Sequence, residues 1–314
     1  MIINGSSVFY PVLEEPIVWD ISRTGMAGKL TFTVINDNLL NFQEGNEVRF
    51  TKNGSNIFRG FVFTKKRSKG NSIDVTAYDQ LRYLKNKDTV VYAKKKASDL
   101  IKEIAGKFNL QVGTIENTGF VIPSRVEDNK TLFDMIINAL DETLRNKKQM
   151  YVLYDDYGKL TLKNIESMKL DLIIDEETAE DFNYSSSIDG ETYNKIKLAF
   201  ENEKTKKRDI YIAQDSSHMN AWGILQYFET IQDASSGKLK ADALLSLYNK
   251  KTRNLTISSA FGDIRIRGGS SIIVVLNLGD IKLQNYMVVE TAKHTFKGNE
   301  HTMDLTLRGN DFSA

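Results

Sequence analysis

The sequence contains no cysteine. A disulfide framework, a thiol nucleophile and a thiolate metal site are therefore excluded. Proline is nearly absent, with Pro11, Pro16 and Pro123 the only three in 314 residues. No Pro-rich linker exists, so the domains are expected to pack on one another. Apolar runs are short. Ile272 to Leu276 falls far below the roughly 20 residues needed to cross a bilayer. Met1 to Tyr10 is polar and lacks the charged-then-apolar layout of a secretory signal. The chain is thus expected to be made in the cytosol and not to span a membrane. An excess of one charge is also missing. Lys plus Arg is 42 and Asp plus Glu is 41, a net charge of +1, which gives no global footprint for nucleic acid or an acidic membrane surface.

What remains is an ordinary globular mix, 41% apolar and 26% charged. Its length predicts two or three domains. Residues 1–85 show strand periodicity: Leu30, Phe32 and Val34 alternate with Thr31 and Thr33, and Ile73, Val75 and Ala77 with Asp74 and Thr76. Gly25 to Gly28, Asn53-Gly54 and Gly70-Asn71 mark turns. The period then changes. Ala97, Leu100, Ile101, Ile104, Ala105 and Phe108 predict one face of a helix, closed by a left-handed Asn109. Leu132, Phe133, Ile136, Ile137, Leu140 and Leu144 predict a second helix from Thr131 to Asn146, with Thr131 and Asp134 as a capping box. Met150–Tyr154 and Leu160–Lys163 flank Asp155-Asp156-Tyr157-Gly158, a predicted hairpin. Residues 86–175 form an expected small α/β domain. From 176 to 314 strands return, including a pair at Asn194–Glu201 and Asp209–Ala213. They are interrupted at about 215–251 by a helical insertion carrying Leu239, Ala243, Leu244, Leu247 and Tyr248.

Two segments echo each other. One is Gly45-Asn46-Glu47-Val48, Gly60 to Arg67, Gly70-Asn71 and Ile73-Asp74-Val75-Thr76. The other is Gly269-Ser270-Ser271-Ile272, Tyr286 to Lys293, Gly298-Asn299 and Met303-Asp304-Leu305-Thr306. Such self-similarity predicts two copies of one β-barrel module flanking the α/β domain. The fold class expected is α+β and mainly β.

Catalytic candidates are few. His294 and His301 are expected on neighbouring strands of one hairpin, without a third patterned ligand for zinc. Asp215, Ser216, Ser217 and His218 hold a triad's residue types, but they are nearly contiguous and fit a polar loop. G-x-S-x-G, P-loop, H-E-x-x-H and G-x-G-x-x-G motifs are missing. Asp155-Asp156 and the acidic stretch Asp175-Glu176-Glu177, Glu180 and Asp181 read as turn and surface rather than as paired glycosidase carboxylates. Arg59-Gly60-Phe61-Val62-Phe63 approaches an RNA-binding aromatic strand but departs from it at Val62 and Thr64. Lys65-Lys66-Arg67, Lys94-Lys95-Lys96 and Lys204 to Arg208 are basic runs in a balanced chain. No catalytic, cofactor-binding or metal-binding residue is assigned.

Glu44 to Val48, Ile57 to Phe63, Val75 to Leu84, Gly223 to Glu229, Val288-Val289-Glu290, His294-Thr295-Phe296 and Asn299 to Leu305 together resemble the XkdQ-like hub proteins of PBSX-type prophages. That family is similar to late control D-like baseplate hubs of contractile tails and tail-like bacteriocins. The resemblance implies a non-enzymatic structural protein: a homotrimer whose two barrel domains per chain form a pseudo-hexameric ring. The ring would join the hexameric tail tube to the threefold spike and anchor peripheral baseplate or wedge proteins, with the tape measure a further partner. It implies assembly in the bacterial cytoplasm and residence in a tail baseplate, with no cofactor, no membrane in the resting particle and no specific nucleic acid. Phe58, Phe61, Tyr78 and Tyr83 are candidate interface anchors, with barrel core as their alternative role. The competing functions are a tail-associated cell-wall hydrolase and a nucleic-acid- or carbohydrate-binding barrel.

Overall fold

The computed structural model describes residues 1–37, 39–67, 70–202, 206–231, 237–277 and 282–309. Lys204 and Thr205 of the last basic run lie outside the described residues. The chain is mainly β. Its first part comprises β1 (Ile2–Asn4), β2 (Ser7–Phe9), β3 (Leu13–Ser22), β4 (Lys29–Ile35), β5 (Glu47–Lys52), β6 (Ser55–Arg67) and β7 (Ser72–Tyr78). In β4 the alternation works as the period of two requires: Leu30, Phe32 and Val34 are buried, and the threonines between them are half-buried. Asn53 and Gly54 both take positive φ, 52° and 77°. They close the two-residue loop between β5 and β6, as a turn matched to strand twist demands. Ile2, Trp19, Phe32, Val48, Val62 and Val75 share one core. A core fed by strands from across the order requires the sheet to curl around it.

The middle part comprises β8 (Lys87–Lys95), α1 (Ala97–Lys107), β9 (Val112–Ile115), β10 (Ile122–Thr131), α2 (Leu132–Lys147), β11 (Tyr151–Asp155) and β12 (Leu160–Asn164). Helix α1 buries Ala97, Leu100, Ile101, Ile104 and Ala105. Asn109, at φ 53°, ends it; its N–H bonds Gly106 O and that of Leu110 bonds Ala105 O, the paired bonds of a left-handed C-cap. The capping box forms: Asp134 N donates to Thr131 Oγ1 at 3.0 Å and Thr131 N to Asp134 Oδ2 at 3.3 Å. β11 and β12 make the expected hairpin, with Tyr157 and Gly158 at positive φ in its turn. Both helices pack with β12 in one core.

The last part comprises β13 (Lys169–Ile174), β14 (Asp181–Ser187), β15 (Lys195–Asn202), β16 (Lys207–Gln214), α3 (Ser216–Trp222), β17 (Gln226–Ile231), α4 (Gly237–Tyr248), β18 (Thr252–Phe261), β19 (Ser271–Asn277), β20 (Lys282–Lys297) and β21 (Glu300–Gly309). Residues 169–174, expected in the α/β domain, instead join the large sheet as β13 on β19, and the reading of the following segment also needs correction. The pair β15–β16 does not join the strands around it; it forms a separate sheet with β17, covered by α4 and centred on Ile196, Leu198, Ala213 and Leu244. The 215–251 segment is also not purely helical, because β17 lies in it, parallel to β15. A parallel partner is remote in sequence, so no hairpin signal announces it.

The other strands of the first and last parts form one 13-stranded sheet. Its main path is β14-β18-β21-β20-β3-β4-β7-β6-β5-β1-β2, with β19 on β20 and β13 on β19. Among the described residues no ladder closes either half on itself, so no closed barrel is present.

Candidate assembly interface

The sequence echo is also an echo of topology. The order β3-β4-β7-β6-β5 is repeated by β14-β18-β21-β20-β19. Even the irregularities match. Gly45 N donates to Val62 O and Val62 N to Asn46 O, at 2.8 and 2.9 Å; Gly269 N donates to Val289 O and Val289 N to Ser270 O, both at 2.8 Å. A register shift follows each valine, after which Thr64 faces Thr76 and Thr291 faces Thr306. The main departure is the link between the first two strands: residues 23–28 between β3 and β4, but 188–251, with the three-stranded sheet, between β14 and β18.

The halves join where β20 pairs with β3, from Thr291 opposite Ser22 to Phe296 opposite Ile17. His294 is fully buried there and stacks on Trp19, with ring centroids 4.9 Å apart. Its Nε2 lies 3.1 Å from Ile266 O and its Nδ1 lies 3.0 Å from His301 Nε2. Both contacts are satisfied by neutral rings, each donating from Nε2. Burial, then the neighbouring His301, pushes His294 down to about 3, and burial with nearby Lys52 pushes His301 down to about 4. Arg23 extends the seam with an ion pair to Glu290 at 2.9 Å. Gly268 packs on the backbone of Ser22 and Arg23 so closely that a Cβ would stand 2.2 Å from Arg23 N.

A second joint brings the middle part in. Asp79 accepts from Gly28 N at 2.8 Å and Leu81 N at 2.9 Å. With Asp155 and Arg267 it lines a cavity of about 20 Å³, room for one water at most. Asp155 Oδ1 accepts from Gly158 N, whereas its buried Oδ2 has no protein partner. Burial pushes Asp155 up to about 6; burial and the Asp155 charge push Asp79 well up. Arg267 donates to Asp155 O at 3.3 Å and lies over the Tyr154 ring. The sequence carries no distinguishing signal for Asp79, because a lone Asp after a strand looks like a turn residue.

The named candidates fall in ordinary places. Phe58 is core. Phe61 meets Tyr83 edge-on, and Phe63 meets Tyr78, with Arg82 over Phe63; all four aromatics are half-buried. They pack ring against ring, and Phe61 and Tyr83 also line a cavity of about 470 Å³ with Arg59, Gln80 and Phe108. Asp215 caps α3 through Ser217 N and His218 N, and Asn249 donates to its Oδ2. His218 contacts Asn249 and stacks on Trp222. Asp175 caps its own turn through Glu177 N and Thr178 N, and Glu176 accepts from Asn277 N. Lys65 donates to Phe42 O and Lys95 pairs with Glu103. Among the described residues, no three His, Asp or Glu side chains gather as a metal site.

Surfaces suited to contact are more evident. Val91 and Val126 face each other across the β8–β10 ribbon and are 71% and 67% exposed. Ile212 and Phe228 flank Lys197 on the open face of the three-stranded sheet. Several strand edges also lack a partner among the described residues, among them the outer edge of β14 and β6 beyond Val62 on the side away from β7.

The YQBQ-like family model matches residues 17–308. YqbQ of Bacillus subtilis (strain 168) is 33% identical over 270 residues, spanning 83% of this chain and 80% of its own. The phage-like element PBSX protein XkdQ of the same organism is 32% identical over 270 residues, spanning 83% and 81%. Among solved structures, the 43 kDa tail protein of prophage MuSo2 from Shewanella oneidensis superposes with a TM-score of 0.69 at 10% identity, over 95% of both chains. The fold is that of phage tail proteins, and the chain belongs to the YQBQ-like family.

Proposed function

We propose that this protein is a non-enzymatic hub in the baseplate of a contractile tail or tail-like particle. Residues 1–85 and 169–314 act as two equivalent, barrel-like tube modules, with β13 joined to β19 in the large sheet, and residues 86–168 form an α/β domain beside them. Three copies place six modules in a ring, which adapts a hexameric tail tube to a threefold spike. The observation that carries this is the repeated strand order, with its matching register shifts, inside one chain. Exposed apolar residues on the β8–β10 ribbon and the three-stranded sheet suit the docking of peripheral baseplate proteins. The protein assembles in the bacterial cytoplasm and then resides in the particle. Light scattering after size exclusion tests the ring: a mass near three times 35.6 kDa is expected, and a stable dimer would contradict it. Incubation with purified peptidoglycan should release no fragments.

A further inference from the structure

We infer that the open edge of β14 receives the open end of β6 from a second copy of this chain, in the register of the internal β3–β20 junction. The inference rests on the ring proposed above and specifies its contact. Val62 and Val289 occupy equivalent positions, as their glycine-loop hydrogen bonds show. After the shifts, Thr64–Arg67 in β6 correspond to Thr291–His294 in β20. On the receiving side, Thr76 faces Thr31, which faces Val18; Thr306 faces Thr256, which faces Asn183. Trp19–Ser22 in β3 therefore correspond to Tyr184–Ser187 in β14. Within the chain, Thr291 faces Ser22 and His294 faces Trp19. Transferred between copies, Thr64 faces Ser187, Lys66 faces Ser185 and Arg67 faces Tyr184.

Two further observations favour this occupant. The edge strand β14 runs Asp-Phe-Asn-Tyr-Ser-Ser-Ser in unbroken register. It has none of the lysines, prolines or bulges that blunt exposed edges in monomers. The two edges also carry charges of opposite sign beside the paired residues. Lys66 and Arg67 have no ion-pair partner among the described residues, and neither do Glu180, Asp181 and Asp189 around β14. The two edges belong to different strands, so the contact is head-to-tail and propagates around a ring.

A chain without cysteine permits a direct test by disulfide trapping. One variant combines Lys66→Cys with Ser185→Cys, another Arg67→Cys with Tyr184→Cys. Adjacent antiparallel pairs alternate between wide and narrow spacing, so one of the two presents the closer side chains, within disulfide reach. The control combines Lys66→Cys with Ser186→Cys, whose side chains leave opposite faces of the paired strands. Under mild oxidation, at least one in-register variant should give reductant-sensitive dimer and trimer bands, several-fold stronger than the control. A mixture of the Lys66→Cys and Ser185→Cys single variants should stop at the dimer. A light-scattering trimer that cross-links no better in register than out of register would overturn this contact and leave the ring standing. A monomer with no cross-link at any concentration would overturn both.

Discussion

His294 and Asp155 are buried ionisable groups whose pKa values move in opposite senses. For the histidines, the folded values of about 3 and about 4 lie below the ordinary 6.5. Their contribution to stability is complete above 6.5 and is lost as pH falls through the folded values. For Asp155 the folded value of about 6 lies above the ordinary 3.8, so its contribution is complete below 3.8 and is lost as pH rises through 6. Urea unfolding of Asp155→Asn, a neutral mimic that keeps the oxygen accepting from Gly158 N, should therefore show a gain of about 1–3 kcal/mol at pH 7. The variant should still lose stability below pH 6.5, because the histidine pair is untouched. No gain at pH 7 would mean that Asp155 is charged at no cost. Gly268→Ala tests the seam itself. Its Cβ would meet the Ser22–Arg23 backbone at 2.2–2.3 Å, so a loss of about 1–3 kcal/mol is expected from overpacking, read as a lowered thermal midpoint. Sequence placed the two histidines on one hairpin, as observed. Their burial was not legible, because it depends on Trp19 and Ile266 arriving from elsewhere in the chain.

Among the elements, legibility followed the range of the pairing. Helices α1 and α2, their caps and the β11–β12 hairpin were readable because periodicity and end signals are local. The echo was readable because both copies keep glycine loops and an Asp-apolar-Thr strand. The separate sheet was not, because β17 finds β15 across α3 and the β16 hairpin. The ladder of the large sheet does not need the 188–251 segment, which meets the rest of the chain through α4 on α2 and the Arg145–Glu229 and Arg308–Glu191 ion pairs. Ser187 and Thr252 already face each other across β14 and β18, and the equivalent strands β3 and β4 need only residues 23–28 to connect. Replacing 189–250 by a short Gly-containing turn should leave the rest folded, with amide hydrogen-exchange protection kept in β18, β20 and β21. Loss of protection throughout those strands would show that the insertion is integral to the sheet.

For the whole molecule, one 13-stranded sheet holds two halves that are equivalent in order but different in surroundings. In one half, the last stretch of β20 is paired with β3; in the other, the corresponding stretch of β6 has no ladder partner on that side among the described residues. In the proposed ring, the junction made once inside the chain is made a second time between copies. Among the described residues neither half closes on itself, so the expected closed barrels are not found in the single chain. The most direct measurement is electron microscopy of the purified oligomer viewed down its axis. A ring of six similar lobes with threefold symmetry is expected, the alternation coming from the insertion carried by only one module of each chain. A ring with a different number of lobes, or a twofold particle, would contradict it.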